Sequence, residues 1–360
     1  MHYFVTLTKE CNLRCSYCGG GSDTPPKEIK YSIDDLKSFL STDSSPVVEF
    51  YGGEPLLRIQ TLERIMDEIS ARFILQTNGF FLDRLEVEYL QKFHTILASI
   101  DGTIEVTDSA RGKGVGERIL RNITLIKERG FKGDLVARMT VRKGTDVFDN
   151  VRYLLSTGLF DHVHWQLDFT IFWQSGEDDE SGPEGWLESY NSGVRSLANY
   201  WISEMYDSGK VLGIVPFVGL MNSLLSGRPS SLRCGAGIDC FTVMPDGRIS
   251  ACPVSIDYDF SILGTIFENT PHSLCHRVSV GEPCISCDIY SLCGGRCLLV
   301  NKSQQMLQQD GFYNICSTVL QLTNEMKKCL PVVQSLIEDH RIKRSDFEYP
   351  TLNNGCEIIP

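Results

Sequence analysis

The sequence has no run of about 20 apolar residues, the length that a helix needs to cross a bilayer. Its first residues, MHYFVTLTKEC, lack the basic segment and the apolar core of a secretory signal peptide. Positive charge is also scarce, because 34 Lys and Arg residues stand against 46 Asp and Glu residues and give a net charge of −12. Phosphate groups would be repelled by such a chain except at a local basic patch. These shortages predict a cytoplasmic protein without a membrane segment, for which nucleic acid is a disfavoured partner.

Cysteine is abundant by contrast, with 14 residues in a chain of 360. Reducing compartments keep thiols reduced, so metal binding explains these cysteines better than disulfides do. The length suits one large domain and a smaller one, and a hydrophobic content of 42% can fill their cores.

Three of the cysteines lie close together near the start, in the segment CNLRCSYC that contains Cys11, Cys15 and Cys18. Thiolates with this spacing can form disulfides, hold zinc or hold an iron–sulfur cluster. Structural zinc normally takes a fourth Cys or His ligand, and none follows Cys18 before His94. Three ligands would leave one coordination position open, and an open position suggests chemistry.

Short apolar segments alternate with segments of helical periodicity through the first half of the chain. Ser32 and Asp35 match a capping box that opens the first helix. Six β/α units predict an α/β fold with a parallel sheet, arranged as a partial (β/α)6 TIM-like barrel with its active site at the C-terminal ends of the strands. The predicted strands are 2–8, 47–51, 73–77, 95–100, 135–141 and 162–169, and the helices between them include 33–40, 62–69 and 118–129.

Polar and glycine residues collect after these strands. They are Gly52-Gly53-Glu54, Asn78-Gly79, Ser99, Asp101-Gly102 and the segment from Arg138 to Arg142. Each could be a simple turn, since glycine, Asn-Gly and Asp-Gly are common in turns. Their order, the spacing Cys-x3-Cys-x2-Cys and the aromatic Tyr17 before the last Cys together resemble the radical S-adenosylmethionine (radical SAM) superfamily.

This resemblance implies a cofactor site. In the family the three thiolates hold three irons of a 4Fe-4S cluster, and the amino and carboxylate groups of SAM chelate the fourth. Glu54 would receive the ammonium group of SAM, and a carboxylate suits a cationic amine. Arg138 would pair with the SAM carboxylate, with Arg111 as the alternative, and either arginine could instead be a surface charge. The other implied SAM contacts are Tyr17, Gly52, Gly53, Asn78, Ser99 and Asp101.

A second cysteine field follows a Ser-, Gly- and Pro-rich junction at 226–232. By spacing alone, its later residues Cys284, Cys287, Cys293 and Cys297 could form a zinc knuckle. Cys234 lies thirteen positions before Gly247, however, and Cys252 lies five after it, which resembles the SPASM extension of radical SAM enzymes. This resemblance implies two auxiliary 4Fe-4S clusters with interleaved ligands. The first would be held by Cys234, Cys240, Cys252 and Cys297, and the second by Cys284, Cys287, Cys293 and Cys316.

The remaining features concern domains and substrates. The predicted domains are 1–225 for the barrel, 226–320 for the SPASM domain and 321–360 for a C-terminal helix and tail. Pro253 stands where sulfatase-maturating relatives have an aspartate base, so that particular activity is not expected. The barrel begins at the first residues, so a leader-peptide-binding domain before it is not expected. Three further cysteines, Cys275, Cys329 and Cys356, are interpreted as incidental thiols.

The polar residues of the sixth strand are ambiguous. His164, Gln166 and Asp168 share one face of this strand. They either face the barrel interior or, with the opposite register, face solvent or helices. The polar segment 174–185 is predicted to be a solvated loop, 186–208 a helix ended by Gly209, and 318–339 another helix.

The resemblance implies an enzyme that cleaves SAM to a 5′-deoxyadenosyl radical and oxidatively modifies a ribosomally made peptide or protein. Its partners would be that substrate and an electron donor such as a ferredoxin or flavodoxin. The alternatives are a radical SAM enzyme acting on a small molecule or RNA, and a non-catalytic, zinc-stabilised interaction protein. No catalytic acid or base is identified by the sequence.

Overall fold

The computed structural model describes residues 1–18, 26–168, 184–307, 310–349 and 359–360, and it shows an α/β protein. Its strands are β1 (His2–Thr8), β2 (Val47–Gly52), β3 (Arg72–Thr77), β4 (Phe93–Ser99), β5 (Asp134–Val141), β6 (His162–Leu167), β7 (Cys240–Val243), β8 (Arg248–Ser250) and β9 (Ile262–Thr265). Its helices are α1 (Ile33–Leu40), α2 (Ile59–Glu68), α3 (Val87–Leu90), α4 (Ile104–Arg111), α5 (Val115–Glu128), α6 (Val147–Ser156), α7 (Glu184–Ser208), α8 (Val215–Ser226), α9 (Pro271–Leu274), α10 (Tyr290–Cys293), α11 (Leu298–Lys302) and α12 (Gly311–Glu338).

The chain divides into two compact units that interleave along the sequence. Unit 1 consists mainly of Met1–Ala137 and Cys234–Ser279, and unit 2 mainly of Arg138–Arg233 and Val280–Thr351. The predicted domains are continuous segments, whereas each compact unit combines several separate segments. The predicted domain limits at 225/226 and 320/321 therefore stay predictions.

The sheet of unit 1 has the strand order β4-β3-β2-β1-β7-β8-β9. Strands β1 to β4 run parallel, and β7 is also parallel to β1. Helices α1, α2 and α3 follow β1, β2 and β3 in sequence, as parallel connections require. The C-terminal ends of the parallel strands, where the predicted site residues follow, therefore lie along one edge of the sheet.

The two faces of this sheet differ in polarity. Tyr3, on one face of β1, is buried and packs edge-on against Phe39 of α1 at a ring distance of 5.8 Å. The opposite face carries polar residues. The His2 ring and the Glu49 carboxylate form a hydrogen bond of 2.8 Å there, and both side chains are fully buried. Apolar residues thus attach the sheet to its helices, while the other face combines the polar His2 and Glu49 with the ring of Phe4, which lies 5.0 Å from the His2 ring.

In unit 2, the apolar residues of β6 pack against helices. The indole Nε1 of Trp165 donates to the Tyr190 hydroxyl on α7 at 2.9 Å, and its ring meets Phe217 of α8 at 6.0 Å. Because side chains alternate along a strand, His164 and Gln166 lie on the face away from these helices. His164 and Gln166 therefore do not face the helices α7 and α8, and their facing the barrel interior stays a prediction.

Most predicted elements are confirmed, with strand limits within two residues of those expected. Helices α5 and α12 begin earlier than predicted, at Val115 and Gly311, and Gly209 ends α7 with a left-handed φ of +68° as expected. The proposed end of the sixth strand at 169 and the loop residues 174–183 lie outside the described residues. Several elements were not predicted, namely the strands β7, β8 and β9, the apolar helix α8 and the helices α4, α9, α10 and α11. Within the described residues, no helix has the length and hydropathy needed to span a membrane.

Candidate functional site: two groups of cysteines

The first group of cysteines follows directly after β1. Cys11 and Cys15 are half-buried and Cys18 is exposed. Burial raises the pKa of Cys11 and Cys15, and the neighbouring thiols, including Cys18 in both cases, raise it further. The structure therefore brings the three predicted cysteines together in one loop, where a bound metal would stabilise their thiolate forms.

Gly52 and Gly53, at the end of β2, contact the residues that begin this loop. The Gly53 N–H donates to the Thr8 carbonyl at 2.9 Å, and the Glu54 N–H donates to the Glu10 carbonyl at 2.8 Å. A Cβ on Gly52 would lie 2.2 Å from the Thr8 oxygen, and one on Gly53 would lie 2.1 Å from the Glu10 oxygen. Glycine is therefore required at both positions because β2 approaches the start of the cysteine loop too closely for any side chain.

Glu54 is fully buried beside this loop. Its carboxylate accepts hydrogen bonds from the Thr77 hydroxyl at 2.7 Å and from the N–H groups of Asn78 and Leu56 at 2.8 and 3.0 Å. Burial raises the pKa of Glu54 to about 7, against the opposing effect of these three donors. Among the described residues no cationic side chain pairs with this carboxylate, so a cationic ligand group would stabilise its charged form.

A buried ion pair supports the other side of the cysteine loop. Arg111 donates to both Asp101 oxygens, from Nε at 2.8 Å and from Nη2 at 2.9 Å, and the Tyr17 hydroxyl donates to Asp101 at 2.9 Å. Burial opposes the charged guanidinium, but the Asp101 carboxylate raises the pKa of Arg111 overall. The Arg111 charge in turn lowers the pKa of Cys15, which burial raises. Arg111, which the sequence offered only as an alternative, thus lies beside the cysteine loop.

Two further contacts fix the loop. The Ser16 N–H donates to the Ala110 carbonyl of α4 at 3.0 Å. The Asn78 side-chain amide donates to Asn12 at 2.8 Å and lies 3.6 Å from the Cys11 sulfur. Ser99 is half-buried at the end of β4. Most of the predicted SAM contacts therefore surround the loop in unit 1, whereas Arg138 is a half-buried residue of β5 in unit 2.

Part of the second cysteine field also lies in unit 1. Cys240 is buried at the start of β7, and burial raises its pKa well above the ordinary value, with the Glu49 and Cys252 charges adding to the rise. Cys234 is half-buried, and the chain turns back after it, since the Cys240 N–H donates to the Gly235 carbonyl at 3.0 Å. Cys297, the fourth ligand implied by the resemblance, belongs to unit 2.

The rest of this field lines a cavity of about 260 Å³ in unit 2. The cavity is bordered by all four cysteines predicted for the second auxiliary cluster, namely Cys284, Cys287, Cys293 and Cys316, and also by Cys297. Its other walls are almost wholly apolar, with Ile289, Val300 and Phe312 among them. Burial and the nearby Cys284 and Cys293 thiols raise the pKa of Cys316 to about 12. Cys316 comes from α12, and eighteen residues separate it from Cys297, but the fold nevertheless brings it to the same cavity.

The turn Gly294-Gly295-Arg296 wraps around the Cys293 sulfur. All three residues have left-handed φ angles, of +73°, +86° and +40°. Burial raises the pKa of Cys293, and the N–H groups of Gly295 and Arg296 oppose this rise by hydrogen bonding to the sulfur. A Cβ on Gly294 would lie 1.9 Å from the Ser231 carbonyl oxygen, which explains the glycine there.

Both groups of cysteines fit iron–sulfur clusters by their chemistry. Thiolates are the usual ligands of 4Fe-4S clusters, and each thiolate binds a different iron. In the described residues, no three His, Cys, Asp or Glu side chains converge on a point where a single ion could bind. A cluster has no need of such convergence, and the cysteine-lined cavity of unit 2 offers far more room than a single water molecule needs.

The fold and these cysteines define an enzyme class that sequence comparison also identifies. Residues 5–149 match the family model described as the radical SAM superfamily. The chain therefore contains a radical SAM domain, as predicted.

Particular relatives fall into two groups. The Fe-coproporphyrin III synthase of Methanosarcina barkeri is 34% identical over 149 residues, which cover 38% of this chain and 36% of that protein. The mycofactocin maturase MftC of Mycolicibacterium smegmatis is 27% identical over 316 residues, covering 81% of this chain and 76% of that protein. This chain thus spans only about a third of the former protein and three quarters of the latter.

Solved structures show the same fold. The structure titled native anSMEcpe with bound AdoMet has a TM-score of 0.74 at 19% identity and covers 94% of this chain and 100% of its own. The Streptococcus suis SuiB structure with its precursor peptide SuiA has a TM-score of 0.58 at 15% identity and covers 84% and 72%. The predicted α/β radical SAM fold is therefore confirmed.

Proposed function

We propose that the chain cleaves S-adenosylmethionine reductively and uses the resulting radical to modify a ribosomally made peptide oxidatively. The observation that supports the peptide-modifying class is the cavity in unit 2, which five cysteines line among apolar residues. Four thiolates suffice to hold every iron of a 4Fe-4S cluster. MftC, a maturase by name, aligns with 81% of this chain, and the SuiB structure contains a precursor peptide.

Each cysteine group has a proposed role. Cys11, Cys15 and Cys18 hold the cluster that binds SAM. Auxiliary clusters are held by Cys234, Cys240, Cys252 and Cys297, and by Cys284, Cys287, Cys293 and Cys316. The ligation by Cys297 rests on the resemblance to SPASM domains. The chain thus takes three 4Fe-4S clusters, within the proposed domains 1–225, 226–320 and 321–360.

The residues around the first cysteine loop are proposed to bind and orient SAM. The SAM-binding cluster, when present, supplies the electron that splits SAM into methionine and the 5′-deoxyadenosyl radical. Glu54 accepts the SAM ammonium group, and its burial strengthens this interaction because little water competes. Arg138 binds the SAM carboxylate, and Asp101 fixes Arg111 and Tyr17 behind the loop. Gly52, Gly53, Asn78 and Ser99 complete the proposed contacts.

Auxiliary clusters in which every iron is bound by a cysteine thiolate would have no open iron to bind substrate. They could instead accept an electron from a substrate radical. The expected product is therefore a peptide that has lost two hydrogens, of which one is taken up in 5′-deoxyadenosine and the other leaves as a proton to solvent and an electron that an auxiliary cluster would accept. The proposed electron source is a ferredoxin or flavodoxin. The proposed compartment is the cytoplasm, because it keeps thiols reduced.

The test is anaerobic reconstitution of the full chain with iron, sulfide, SAM and candidate peptides, followed by mass spectrometry in heavy water. A loss of two hydrogens supports the proposal. Uptake of solvent deuterium without net hydrogen loss would instead indicate epimerisation, and a methyl increment would indicate methylation. Zinc in a colourless protein without SAM cleavage would favour the interaction-protein alternative.

A second candidate is a small-molecule substrate of the tetrapyrrole kind. Fe-coproporphyrin III synthase and the AdoMet-dependent heme synthase of Methanosarcina barkeri, at 34% and 31% identity, support it. These alignments cover 38% and 41% of this chain, so they concern less than half of it. Turnover of an iron porphyrin precursor by the reconstituted enzyme, without peptide modification, would favour this candidate.

A further inference from the structure

Asn301 is a buried amide beside the cysteines of unit 2. Its exposed fraction is 5%, and it lies on the short helix α11, which begins directly after Cys297. The side-chain Nδ2 of Asn301 donates to the Cys284 sulfur at 3.3 Å. Groups that donate hydrogen bonds to the ligands of a metal site orient those ligands and tune the metal.

The orientation of this amide is fixed by the main chain of Gly281. The Gly281 N–H can only donate, and it bonds to the Asn301 Oδ1 at 2.8 Å. Exchanging the oxygen and the nitrogen of the amide would place its NH2 group against this N–H, and the bond would be lost. The two N–H donors of Nδ2 are therefore directed towards the Cys284 sulfur and the carbonyl oxygens of Gly281 and Glu282, which lie at 3.1 and 3.4 Å.

The same residue joins the segment before Cys284 to the helix after Cys297. The main-chain N–H of Asn301 donates to the Cys297 carbonyl oxygen at 3.0 Å. The Cys284 N–H donates to the Gly281 carbonyl oxygen at 3.0 Å and closes a turn, and the Asn301 side chain bonds to both main-chain polar groups of Gly281. Asn301 therefore holds the turn that carries the Cys284 sulfur and donates to that sulfur at the same time.

We propose that Asn301 is a positioning residue for the second auxiliary cluster, whose proposed ligands include Cys284, and that its N–H···S hydrogen bond raises the reduction potential of this cluster. This inference rests on the proposed function, since it requires that cluster. Reduction adds one electron to the cluster and neither forms nor breaks a bond, and in the proposed reaction the electron comes from the substrate radical. A hydrogen-bond donor to a cluster sulfur stabilises the reduced and more negative state more than the oxidised state.

The test is a redox titration of the anaerobically reconstituted full chain, followed by electron paramagnetic resonance. The signal of this cluster is the one that disappears in Cys316→Ala. Asn301→Ala removes the donor and should shift the reduction equilibrium about tenfold towards the oxidised cluster, which is a midpoint potential about 59 mV more negative for one electron. Asn301→Asp keeps the size of the side chain and the acceptor for the Gly281 N–H but has no N–H donor, so it should shift the potential in the same direction.

Gln304→Ala serves as the matched control. Gln304 is a half-buried amide that donates to the carbonyl oxygens of Glu282 and Asn301 at 3.1 and 2.8 Å, and neither bond involves a sulfur. Its replacement disturbs the same segment without removing a donor to the cluster. It should change the reduction equilibrium less than twofold.

Each other outcome has one meaning. Loss of the signal in Asn301→Ala, together with a more negative potential in Asn301→Asp, would support the inference, because the second variant keeps the acceptor for Gly281. An unchanged or more positive potential in either variant, or an equal shift in Gln304→Ala, would overturn it, because the hydrogen bond to the sulfur would then not set the potential. Loss of the signal in both Asn301 variants would also overturn it, since Asn301 would then serve only the folding of the segment. If no signal disappears in Cys316→Ala, the proposed auxiliary cluster itself is wrong, and this failure is separate from the others.

Discussion

Replacing Glu54 by Gln should remove a pH-dependent loss of stability and weaken SAM binding at the same time. Burial raises the pKa of Glu54 from its ordinary value of 4.5 to about 7. At 1.36 kcal/mol per pKa unit, ionised Glu54 costs the folded state about 3 kcal/mol. Gln cannot ionise and does not incur this cost, but its amide has one acceptor oxygen where the carboxylate has two, so the Asn78 N–H loses its acceptor at a cost that does not depend on pH.

The sign of the pH dependence follows from proton linkage. Between pH 4.5 and about 7 the folded protein binds more protons at Glu54 than the unfolded chain does, so this group lowers stability as the pH rises. The stability of Glu54→Gln relative to the wild type should therefore rise by up to about 3 kcal/mol between about pH 4, where the wild-type carboxyl is mostly protonated in both states, and about pH 8. Urea unfolding of the cluster-free protein at both pH values measures this difference.

The expected effect on SAM binding is opposite. A hydrogen bond between charged groups contributes about 1.5–3 kcal/mol, so Glu54→Gln should weaken SAM binding about 10- to 150-fold. Isothermal calorimetry on the anaerobically reconstituted protein measures this affinity. A SAM analogue without the α-amino group serves as the control and should bind both proteins alike. Unchanged SAM affinity, or an equal loss for the analogue, would refute the assignment of Glu54 to the ammonium group.

Three further predictions concern the cysteines and the glycine pair. Replacing Cys11, Cys15 and Cys18 together by Ala should abolish SAM cleavage but leave the auxiliary iron signal, and retained cleavage would refute their assignment. Gly53→Ala should destabilise the protein by at least about 2 kcal/mol in urea unfolding, because its Cβ would lie 2.1 Å from the Glu10 oxygen. The control Gly185→Ala has open space around it and should not lower the urea midpoint. Cys316→Ala should lower the iron content by about four atoms per chain in an iron assay. The control Cys329→Ala changes a cysteine of the same helix that does not line the cavity, and it should leave the iron content unchanged. Equal iron contents in the two variants would contradict the proposed ligand set.

The sequence predicted most of the sheet because its parallel strands are short apolar segments separated by helical periodicity. It did not reveal β7, since four residues give almost no periodic signal, nor the pairing of β7 with β1 across more than two hundred residues of chain. Helix α8 was missed for a different reason. Its sequence VPFVGLMNSLLS is apolar on nearly every side and seven of its residues are buried, so it shows no polar stripe.

Around the first cysteine loop, residue types were easier to predict than their partners. Gly52 and Gly53 were expected to contact SAM. The structure shows that each glycine approaches a carbonyl oxygen of the chain before the loop. Likewise, Asp101 was expected to contact SAM, and its closest partner in the structure is Arg111. Such pairs join segments ten or more residues apart, and spacing along the chain does not encode them.

The second cysteine field shows why spacing alone could not choose between zinc and a cluster. Cys284, Cys287, Cys293 and Cys297 have zinc-knuckle spacing, and Cys297 does line the same cavity as the other three. Cys316 is the residue that separates the two interpretations, because its charge interactions run to Cys284, Cys293 and Cys287. It reaches them from α12, a helix whose start at Gly311 the sequence did not predict. Five cysteines around one cavity exceed the four ligands of a zinc ion or of one cluster, so at least one of them must serve elsewhere or remain a free thiol. Ligation of a second auxiliary cluster by Cys297 would account for the fifth cysteine, whereas a single zinc site would not.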